Sequence, residues 1–414
     1  MQTQLADFVR NTAEGREAEE ILRKCVHCGF CTATCPTYQL IGDELDGPRG
    51  RIYLIKQVLE GERPTERTQL HLDRCLSCRS CETTCPSGVR YGRLVDIGRG
   101  IVETQVGRGL FNRVQRTALG LVLPRAALFG AFLKLGQWLR PLLPPVLKRV
   151  VPARARADGA WPGPRHARKM LVLAGCVQPA LAPVINAAAA RVLDAAGISL
   201  LEAPGGGCCG AVRYHLNAQA AGLDDMRALI NAWWPLIEGG EVEAIVMTAS
   251  GCGSMVREFG HLLRDDPAYR EKSARVSEMT RDLSEVVADI ATGLEARLTA
   301  RASRGRIAFH APCSLQHAQQ IHGEVESLLT RAGYELTPVA DAHLCCGSAG
   351  TYSILQPALG DTLRARKLAA LHAGSPATIA TANIGCLMHL QVGSQAPVRH
   401  WIELLDDVLA PSAA

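Results

Sequence analysis

The sequence predicts a multidomain α+β protein, with a mostly helical N-terminal part followed by a duplicated α/β unit with parallel sheets. Two cysteine runs of identical spacing occur between residues 25 and 85. A second set of cysteines occurs twice in the C-terminal half, at a long constant offset. Apolar, β-rich segments precede many of these later cysteines, and helical stretches lie between them. Such alternation is typical of parallel sheets covered on both faces.

The composition narrows the class of protein. The chain has 414 residues, enough for two or three domains. Its 47% hydrophobic and 21% charged residues exclude wholesale disorder and a collagen-like structure. Sixteen cysteines are too dilute for a disulfide-stapled miniprotein. They are also too many, and too regularly spaced, for an enzyme with a few buried thiols.

The N-terminus and the apolar runs bear on localisation. The first residues, MQTQLADFVRNTAEG, lack the basic start and apolar run of a signal peptide. We therefore expect a cytoplasmic protein in a reducing compartment, where clustered cysteines bind metals more often than they form disulfides. No stretch of about 20 uncharged apolar residues is present, so no transmembrane helix is predicted.

The two N-terminal cysteine runs share the spacing C-x2-C-x2-C-x3-C-P, and the second repeats the first at an offset of 50. This spacing is typical of bacterial two-cluster ferredoxins and predicts two [4Fe-4S] clusters in a mostly helical domain. The first run is Cys25, Cys28, Cys31 and Cys35, and the second is Cys75, Cys78, Cys81 and Cys85.

The spacing also predicts which thiolates share a cluster. Three thiolates from one short loop reach three irons, and the last cysteine of the opposite run reaches the fourth. The alternative is zinc, which also uses C-x2-C pairs but leaves the third cysteine of each run unexplained. Arg49 and Arg51 could counter the negative charge of a cluster, or could be surface residues. The predicted sets are Cys25, Cys28, Cys31 and Cys85 for cluster 1, and Cys75, Cys78, Cys81 and Cys35 for cluster 2.

The positive charge of the chain is concentrated in residues 105–157, which contain ten Lys or Arg and no Asp or Glu. Leu128, Phe132, Leu135 and Leu139 lie on one face of a predicted helix there. A basic amphipathic helix can contact an anionic membrane surface from one side, or pack against a partner subunit. Nucleic acid binding is not expected, because no recognised nucleic-acid-binding module is visible.

The C-terminal cysteines form a repeat, in which the first three positions shift by 137 residues and the last by 134. Cysteines at the carboxyl ends of parallel strands would converge at one edge of the sheet. A further iron–sulfur cluster or a zinc ion could bind there. Buried structural thiols or redox-active vicinal thiols are the alternatives. The two sets are Cys176, Cys208, Cys209 and Cys252, and Cys313, Cys345, Cys346 and Cys386.

These patterns divide the chain into four parts. Residues 1–104 form the helical ferredoxin-like domain with two [4Fe-4S] clusters. Residues 105–165 form a basic, proline-rich linker. Residues 166–294 and 295–414 form the first and second α/β domains, each with one Cys-Cys-Gly (CCG) motif.

Several stretches together resemble one family. CVHCGFCTATCPTY, DGPRGRIYLIKQVLEG, CLSCRSCETTCPSGVRYGRLVDIGR and the two CCG repeats are similar to iron–sulfur subunits of glycolate oxidase over nearly the whole chain. The motifs are shared with iron–sulfur subunits of lactate oxidation, anaerobic glycerol-3-phosphate dehydrogenase and heterodisulfide reductase. The resemblance implies two [4Fe-4S] clusters, flavin-containing partner subunits that oxidise glycolate to glyoxylate, and a quinone-linked electron acceptor.

The CCG repeats depart from the heterodisulfide reductase pattern, in which each repeat ends in C-x-x-C. Here Met255 and His389 occupy the final positions, so the last thiolate is absent from both copies. This absence argues against the unusual cluster of that family. His389 could replace the thiolate as a ligand, or could be an ordinary hydrogen-bonding residue.

The resulting prediction is an electron-transfer subunit without catalytic residues of its own. We predict neither a dinucleotide-binding G-x-G-x-x-G turn nor a P-loop, so no flavin or nucleotide is expected on this chain. Substrate oxidation is expected on the flavin-containing partner, and the acceptor is a quinone or a similar molecule. The alternatives are an iron–sulfur subunit of a lactate or glycerol-3-phosphate dehydrogenase, and a CCG reductase that resembles heterodisulfide reductase.

Overall fold

The N-terminal part is helical. The computed structural model describes residues 1–144, 148, 151–154, 159–294 and 303–410. Short 3-10 turns at Phe30–Thr32 and Glu44–Asp46 lie between the helices. The helices are α1 (Asp7–Arg10), α2 (Ala13–Lys24), α3 (Pro36–Ile41), α4 (Pro48–Leu59), α5 (Glu66–Asp73), α6 (Ser80–Thr84) and α7 (Tyr91–Val106).

The cysteines of both runs lie at helix ends and in the short loops that join them. Cys25 directly follows α2, and Cys35 directly precedes α3. Pro36 takes the first position of α3, where a missing N–H costs no hydrogen bond. Cys85 is the residue after α6. The helices therefore fix the backbone on both sides of each loop.

The basic segment begins with two helices, α8 (Leu110–Val122) and α9 (Ala126–Leu139). Leu128, Phe132 and Leu135 are exposed on α9, so the predicted apolar face is open to solvent. Pro145 and the basic residues at 149 and 156 lie outside the described residues. No single described helix is long and apolar enough to cross a membrane; α8 and residues 126–142 would qualify together, but they meet at 108°.

The first α/β unit contains a four-stranded parallel sheet with the order β2-β1-β3-β4. Its strands are β1 (Arg168–Val172), β2 (Ile198–Glu202), β3 (Ile245–Met247) and β4 (Thr280–Asp282). Its helices are α10 (Gln178–Leu181), α11 (Val184–Ala195), α12 (Ala211–His215), α13 (Gln219–Glu238), α14 (Ser250–Val256), α15 (Phe259–Leu262), α16 (Arg270–Met279) and α17 (Leu283–Ile290).

The second unit repeats this topology, with a parallel sheet in the order β6-β5-β7-β8. The predicted fold class, including the duplication, is therefore confirmed. The strands are β5 (Arg306–His310), β6 (Glu335–Leu336), β7 (Thr378–Thr381) and β8 (Val398–His400). The helices are α18 (Glu324–Arg331), α19 (Tyr352–Leu355), α20 (Pro357–His372), α21 (Ile384–Gln391) and α22 (Trp401–Leu409), with a π-helical turn at Ser314–Ala318.

The two α/β units share one hydrophobic core, which runs from Met170 in β1 to Leu409 in α22. Helices α11 and α22 pack against each other, and Arg191 Nη2 lies 2.6 Å from Asp406 Oδ2 across this contact. The units also meet near their cysteines, where Ser250 Oγ lies 2.8 Å from Ser314 Oγ. Because apolar burial is the main stabilising contribution, this shared core holds the two units as one body.

Candidate metal centres

The first N-terminal site is an open cavity whose lining includes Cys25, Cys28, Cys31 and Cys85, together with Cys81 of the second run. Cys25 is buried and Cys28 is exposed, so the cavity opens to solvent on one side. Burial, together with the charges of Cys25 and Cys85, raises the pKa of Cys31 to about 11. The structure therefore brings the fourth cysteine of the second run to the first three cysteines of the first run.

The second N-terminal site lies among Cys35, Cys75, Cys78 and Cys81. Burial is the main cause that raises the pKa of Cys81 well above its usual value, and Cys78 and Cys75 add to the rise. Cys35 also contributes to the raised pKa of Cys81, and Cys78 to that of Cys35. Cys35 therefore lies with the cysteines of the opposite run, as the crossed ligand sets require. Ligation itself remains a prediction.

Both loops have the same backbone conformation. His27 and Ser77 occupy equivalent positions and have φ of 59° and 51°. Gly29 and Arg79 are the next equivalent pair, with φ of 84° and 60°. Left-handed residues between the cysteines turn the chain sharply, so that three thiols can face one point. Sets of four thiols fit the ligands of a [4Fe-4S] cluster.

The first CCG site gathers its cysteines from the carboxyl ends of three strands. Cys176 follows β1, the vicinal pair follows β2, and Cys252 follows β3. Cys176 is within hydrogen-bonding distance of Cys208, and Cys209 of Cys252. The backbone N–H of Gly210 donates to Cys208 Sγ at 3.4 Å. All the predicted thiols of this copy therefore lie together.

The second CCG site has the same arrangement, with Cys313 against Cys345 and Cys346 against Cys386. The N–H of Gly347 donates to Cys345 Sγ at 3.4 Å. In both copies only glycine fits after the vicinal cysteines. An added Cβ would lie 2.5 Å from the carbonyl oxygen of Gly222 in the first copy, and 2.6 Å from that of Gly360 in the second.

The second CCG site also adjoins the second N-terminal site. Cys313 is within hydrogen-bonding distance of Cys78. Two contacts hold this junction: Thr83 Oγ1 lies 3.0 Å from His317 Nδ1, and Tyr352 Oη donates to the carbonyl oxygen of Arg74 at 3.1 Å. Two sites that are remote in sequence are therefore neighbours in the fold.

Comparison with known proteins agrees with this geometry. Residues 21–89 match the model of the 4Fe-4S dicluster domain, and residues 170–257 and 307–391 match that of the cysteine-rich domain. The chain is 56% identical to the glycolate oxidase iron-sulfur subunit of Escherichia coli (strain K12), over 99% of each chain. The chain belongs to the family of glycolate oxidase iron–sulfur subunits. The predicted family is thereby confirmed, and so is the prediction that the chain binds iron–sulfur clusters.

Two further relatives of this glycolate oxidase family member are less similar to it. A probable glycolate oxidase iron-sulfur subunit of Bacillus subtilis (strain 168) is 30% identical, over 93% of this chain and 92% of that protein. Lactate utilization protein A of Geobacillus thermodenitrificans (strain NG80-2) is 26% identical, over 48% of this chain and 82% of that protein. The lactate alternative therefore corresponds only to distant relatives that cover about half of the chain.

One letter match in the sequence of this family member needs a structural explanation. Residues 205–210 do match the letters of G-x-G-x-x-G, between β2 and α12. However, β2 is an edge strand, α12 has only five residues, and two of the motif positions are Cys208 and Cys209. These glycines therefore shape the turn that presents the vicinal thiols. The motif here is not a dinucleotide fingerprint, which opens a helix of a central βαβ unit.

Arg51, one of the two arginines considered from the sequence, is buried beside the second N-terminal site. It donates to Asp46 Oδ1 at 3.3 Å and to the carbonyl oxygen of His71 at 2.7 Å. Burial alone would lower its pKa, but negative groups that include Cys75 and Cys35 hold it above the usual value. Arg49 is a partly exposed partner of Glu44 and also lines the cavity of the first N-terminal site. Each arginine is therefore placed to counter negative charge at one of the two N-terminal sites.

The two histidines near the second CCG site have different environments. Nε2 of His389 donates to the carbonyl oxygen of Gly360 at 3.2 Å. His310 has ring nitrogen within 4.8 Å of both Cys346 Sγ and Cys386 Sγ. Burial, with the nearby Lys367 ammonium, lowers the pKa of His310 to about 3, so its imidazole is neutral. Sequence reasoning assigned His310 no role, although its position three residues before Cys313 was a usable signal.

Proposed function

We propose that this chain is the electron-transfer subunit of a glycolate oxidase complex. It passes electrons from a flavin-containing partner, which oxidises glycolate to glyoxylate, toward a quinone or a similar acceptor. The observation that carries the proposal is the 56% identity over 99% of the chain to a glycolate oxidase iron-sulfur subunit. The eight N-terminal cysteines gather in two crossed sets, which supports the same role.

The proposed ligands of the two [4Fe-4S] clusters are the crossed cysteine sets. When bound, the clusters supply one-electron redox chemistry. The chain contributes the thiolates, the helix ends that position them, and the buried guanidinium of Arg51, which offsets negative charge. One cluster is held by Cys25, Cys28, Cys31 and Cys85, and the other by Cys35, Cys75, Cys78 and Cys81.

The CCG sites are proposed as further metal sites, for a cluster or a zinc ion. Their support is the convergence of four thiols in each copy at the carboxyl end of a parallel sheet. The contact between Cys78 and Cys313 makes the second CCG site the neighbour of an N-terminal site. Burial and close approach suit a role in electron transfer between the two parts of the chain.

The substrate is tested by electron paramagnetic resonance on the complex, purified anaerobically with its native partners. Glycolate, D-lactate, L-lactate and glycerol 3-phosphate are added to separate samples, with dithionite as the positive control. We expect glycolate to give strong signals of reduced clusters, and the other three to give at most a small fraction of that intensity. The flavin on the partner removes two electrons from a 2-hydroxy acid and releases them singly.

Two results would contradict the proposal at different levels. Reduction by a lactate isomer or glycerol 3-phosphate, but not by glycolate, would overturn the substrate and leave the iron–sulfur role in place. Absence of any cluster signal with dithionite in intact protein would overturn the iron–sulfur assignment itself.

We also propose that helices α8 and α9 contact the inner face of the cell membrane from one side. Trp138 and Phe132 are exposed by 69% and 56%, a large apolar surface for a single helix. Residues 105–157 carry ten basic and no acidic residues, so anionic headgroups would complement their charge. A contact of this kind needs no membrane-spanning helix.

The membrane proposal predicts that Trp138→Ser weakens vesicle binding by the whole complex about tenfold, because a large apolar side chain no longer enters the interface. Co-sedimentation with vesicles with and without phosphatidylglycerol measures this effect. Ile354→Ser is the matched control, since Ile354 is an exposed apolar residue in α19. If the wild-type complex ignores anionic vesicles at low salt, the face instead contacts a partner subunit.

A further inference from the structure

The second CCG site contains a buried imidazole with one ring nitrogen that has no hydrogen-bond partner among the described residues. His310 is only 2% exposed, and its Nε2 has no hydrogen-bond partner among the described residues. The same ring has a nitrogen within 4.8 Å of Cys346 Sγ and Cys386 Sγ, which also lie within 4.8 Å of each other. Buried polar atoms without a partner are rare, because they lose their hydration without compensation. A metal ion bound by the imidazole and the two thiols would give Nε2 the partner that it lacks.

The backbone holds this imidazole at the site. His310 is the last residue of β5, and its carbonyl oxygen accepts a hydrogen bond from Thr381 Oγ1 of β7 at 3.0 Å. Cys346 follows β6, and Cys386 lies in α21 after β7. Three neighbouring strands therefore deliver one ligand atom each to the same edge of the sheet. This arrangement resembles a structural site, in which the fold positions every ligand before the metal binds.

The first CCG site lacks this imidazole. The 137-residue offset that relates Cys176 to Cys313 places Leu173 at the position of His310. Leu173 is buried and belongs to the hydrophobic core of the first unit. The two copies share their four thiols and their sheet topology, so the leucine shows that the fold does not itself need a histidine here.

A second polar substitution accompanies the first. Lys367 on α20 is 3% exposed, and its Nζ donates to the carbonyl oxygen of Asp341 at 2.8 Å. No carboxylate among the described residues lies within ion-pair distance of this ammonium. Burial lowers the pKa of Lys367, and nearby negative groups that include Cys313, Cys345 and the Asp341 carboxylate act against this decrease. Gly222 and Gly360 contact the CCG turns of the first and second copies. When these two glycines are aligned, Leu229 of the first copy corresponds to Lys367. A buried cation needs nearby negative charge, which metal-bound thiolates would supply together with the Asp341 carboxylate.

We propose that His310 ligates, through Nε2, the metal held by Cys346 and Cys386, so that the second CCG site is a mixed imidazole–thiolate site. The first CCG site is then a thiolate-only site, and His389 is a hydrogen-bonding residue. The metal is either a zinc ion or an iron of a cluster, since both accept imidazole beside thiolates. This inference rests on the proposed function, because that proposal assigns a metal to the CCG cysteines.

The test compares three variants of the anaerobically purified complex. His310→Leu reproduces the residue of the first copy, and His310→Cys restores a ligand of another type. His389→Gln is the control, because glutamine can keep the hydrogen bond to Gly360. We expect His310→Leu to lose most of the metal of this site by elemental analysis, and the other two variants to retain it. The cluster signals of the N-terminal sites report whether each variant is intact.

Spectroscopy on the wild-type complex tests the bond directly. If the metal is iron, histidine labelled with 15N should give a nitrogen coupling in electron–nuclear double resonance, absent from His310→Leu. If the metal is zinc, X-ray absorption at the zinc edge should show one nitrogen donor, replaced by sulfur in His310→Cys. Full metal content in His310→Leu, or no nitrogen donor in the wild type, would overturn the inference.

The outcomes separate this inference from the function on which it rests. A wild-type complex without metal beyond the N-terminal clusters would overturn both the inference and the assignment of metal to the CCG cysteines. Its reduction by glycolate would still support the electron-transfer role. Loss of metal in His389→Gln, with full metal in His310→Leu, would overturn the inference and return the ligand role to His389.

Discussion

Replacement of Cys85 by serine should remove the cluster held by the first cysteine run, although Cys85 belongs to the second. The structure places Cys85 in the cavity that Cys25, Cys28 and Cys31 line. A neutral serine hydroxyl is a poor substitute for a thiolate ligand, so the complex should lose about four of its irons. Iron analysis and electron paramagnetic resonance of the dithionite-reduced complex measure the loss.

Three further variants identify which cluster is lost. Cys28→Ser removes a ligand of the first run, and Cys75→Ser removes one of the second. With crossed ligand sets, the spectrum of Cys85→Ser should match that of Cys28→Ser, and the spectrum of Cys35→Ser should match that of Cys75→Ser. The opposite pairing of spectra would show that each run holds its own cluster and would refute the crossed assignment.

Replacement of Glu17 by alanine should destabilise the protein by about 3–5 kcal/mol, because it leaves the buried guanidinium of Arg93 without its carboxylate partner. Glu17 in α2 is 9% exposed and accepts from Arg93 at 3.1 Å and from His261 Nε2 at 2.8 Å. Arg264 lies 3.2 Å away on the same first α/β unit. A lower midpoint of thermal unfolding, and faster proteolysis between the N-terminal domain and the first α/β unit, would report the loss of stability.

The ionisation of Glu17 and a control on the same helix sharpen this test. Burial alone would raise the pKa of Glu17, but hydrogen bonds from His261 and Arg93 hold it far below its usual range. The contribution of Glu17 to the free energy of unfolding is therefore complete above the pKa of glutamate in the unfolded chain, about 4.3. This contribution is lost as the pH falls through the lower pKa of Glu17 in the folded protein. Glu20→Gln should change the stability by less than about 1 kcal/mol, since Glu20 is 72% exposed in its pair with Lys24. Equal effects of the two variants would contradict the buried-pair interpretation.

The approach of Cys85 to the first run, and of Cys35 to the second, could be predicted because spacing along the chain limits which thiols can share a site. Three cysteines two residues apart must face one point, and a fourth at the end of the run cannot reach the same point. The parallel sheets were equally predictable from strands that alternate with helices. Residues 205–210 match G-x-G-x-x-G, but a sequence match alone does not identify the role of these glycines. The edge position of β2 shows that the turn presents the vicinal thiols rather than a dinucleotide.

The choice between His310 and His389 could not be made from the sequence. His389 occupies the position of a missing thiolate, which made it the natural candidate. The fold turns its Nε2 toward the carbonyl oxygen of Gly360, and the end of β5 carries His310 to the sulfurs instead. The direction of each imidazole ring depends on how helix α21 and strand β5 pack in the folded protein. The spacing of residues along the chain therefore does not predict it.

The sequence by itself determined the family and the duplicated α/β architecture, and it predicted which cysteines lie together, because these depend on spacing and periodicity. Only the tertiary structure decided how the sites are arranged with respect to each other. Cys78 meets Cys313, and Glu17 meets His261, across more than two hundred residues of chain. Such contacts arise when apolar faces pack and buried charges are paired, and that packing depends on the whole fold rather than on any one segment.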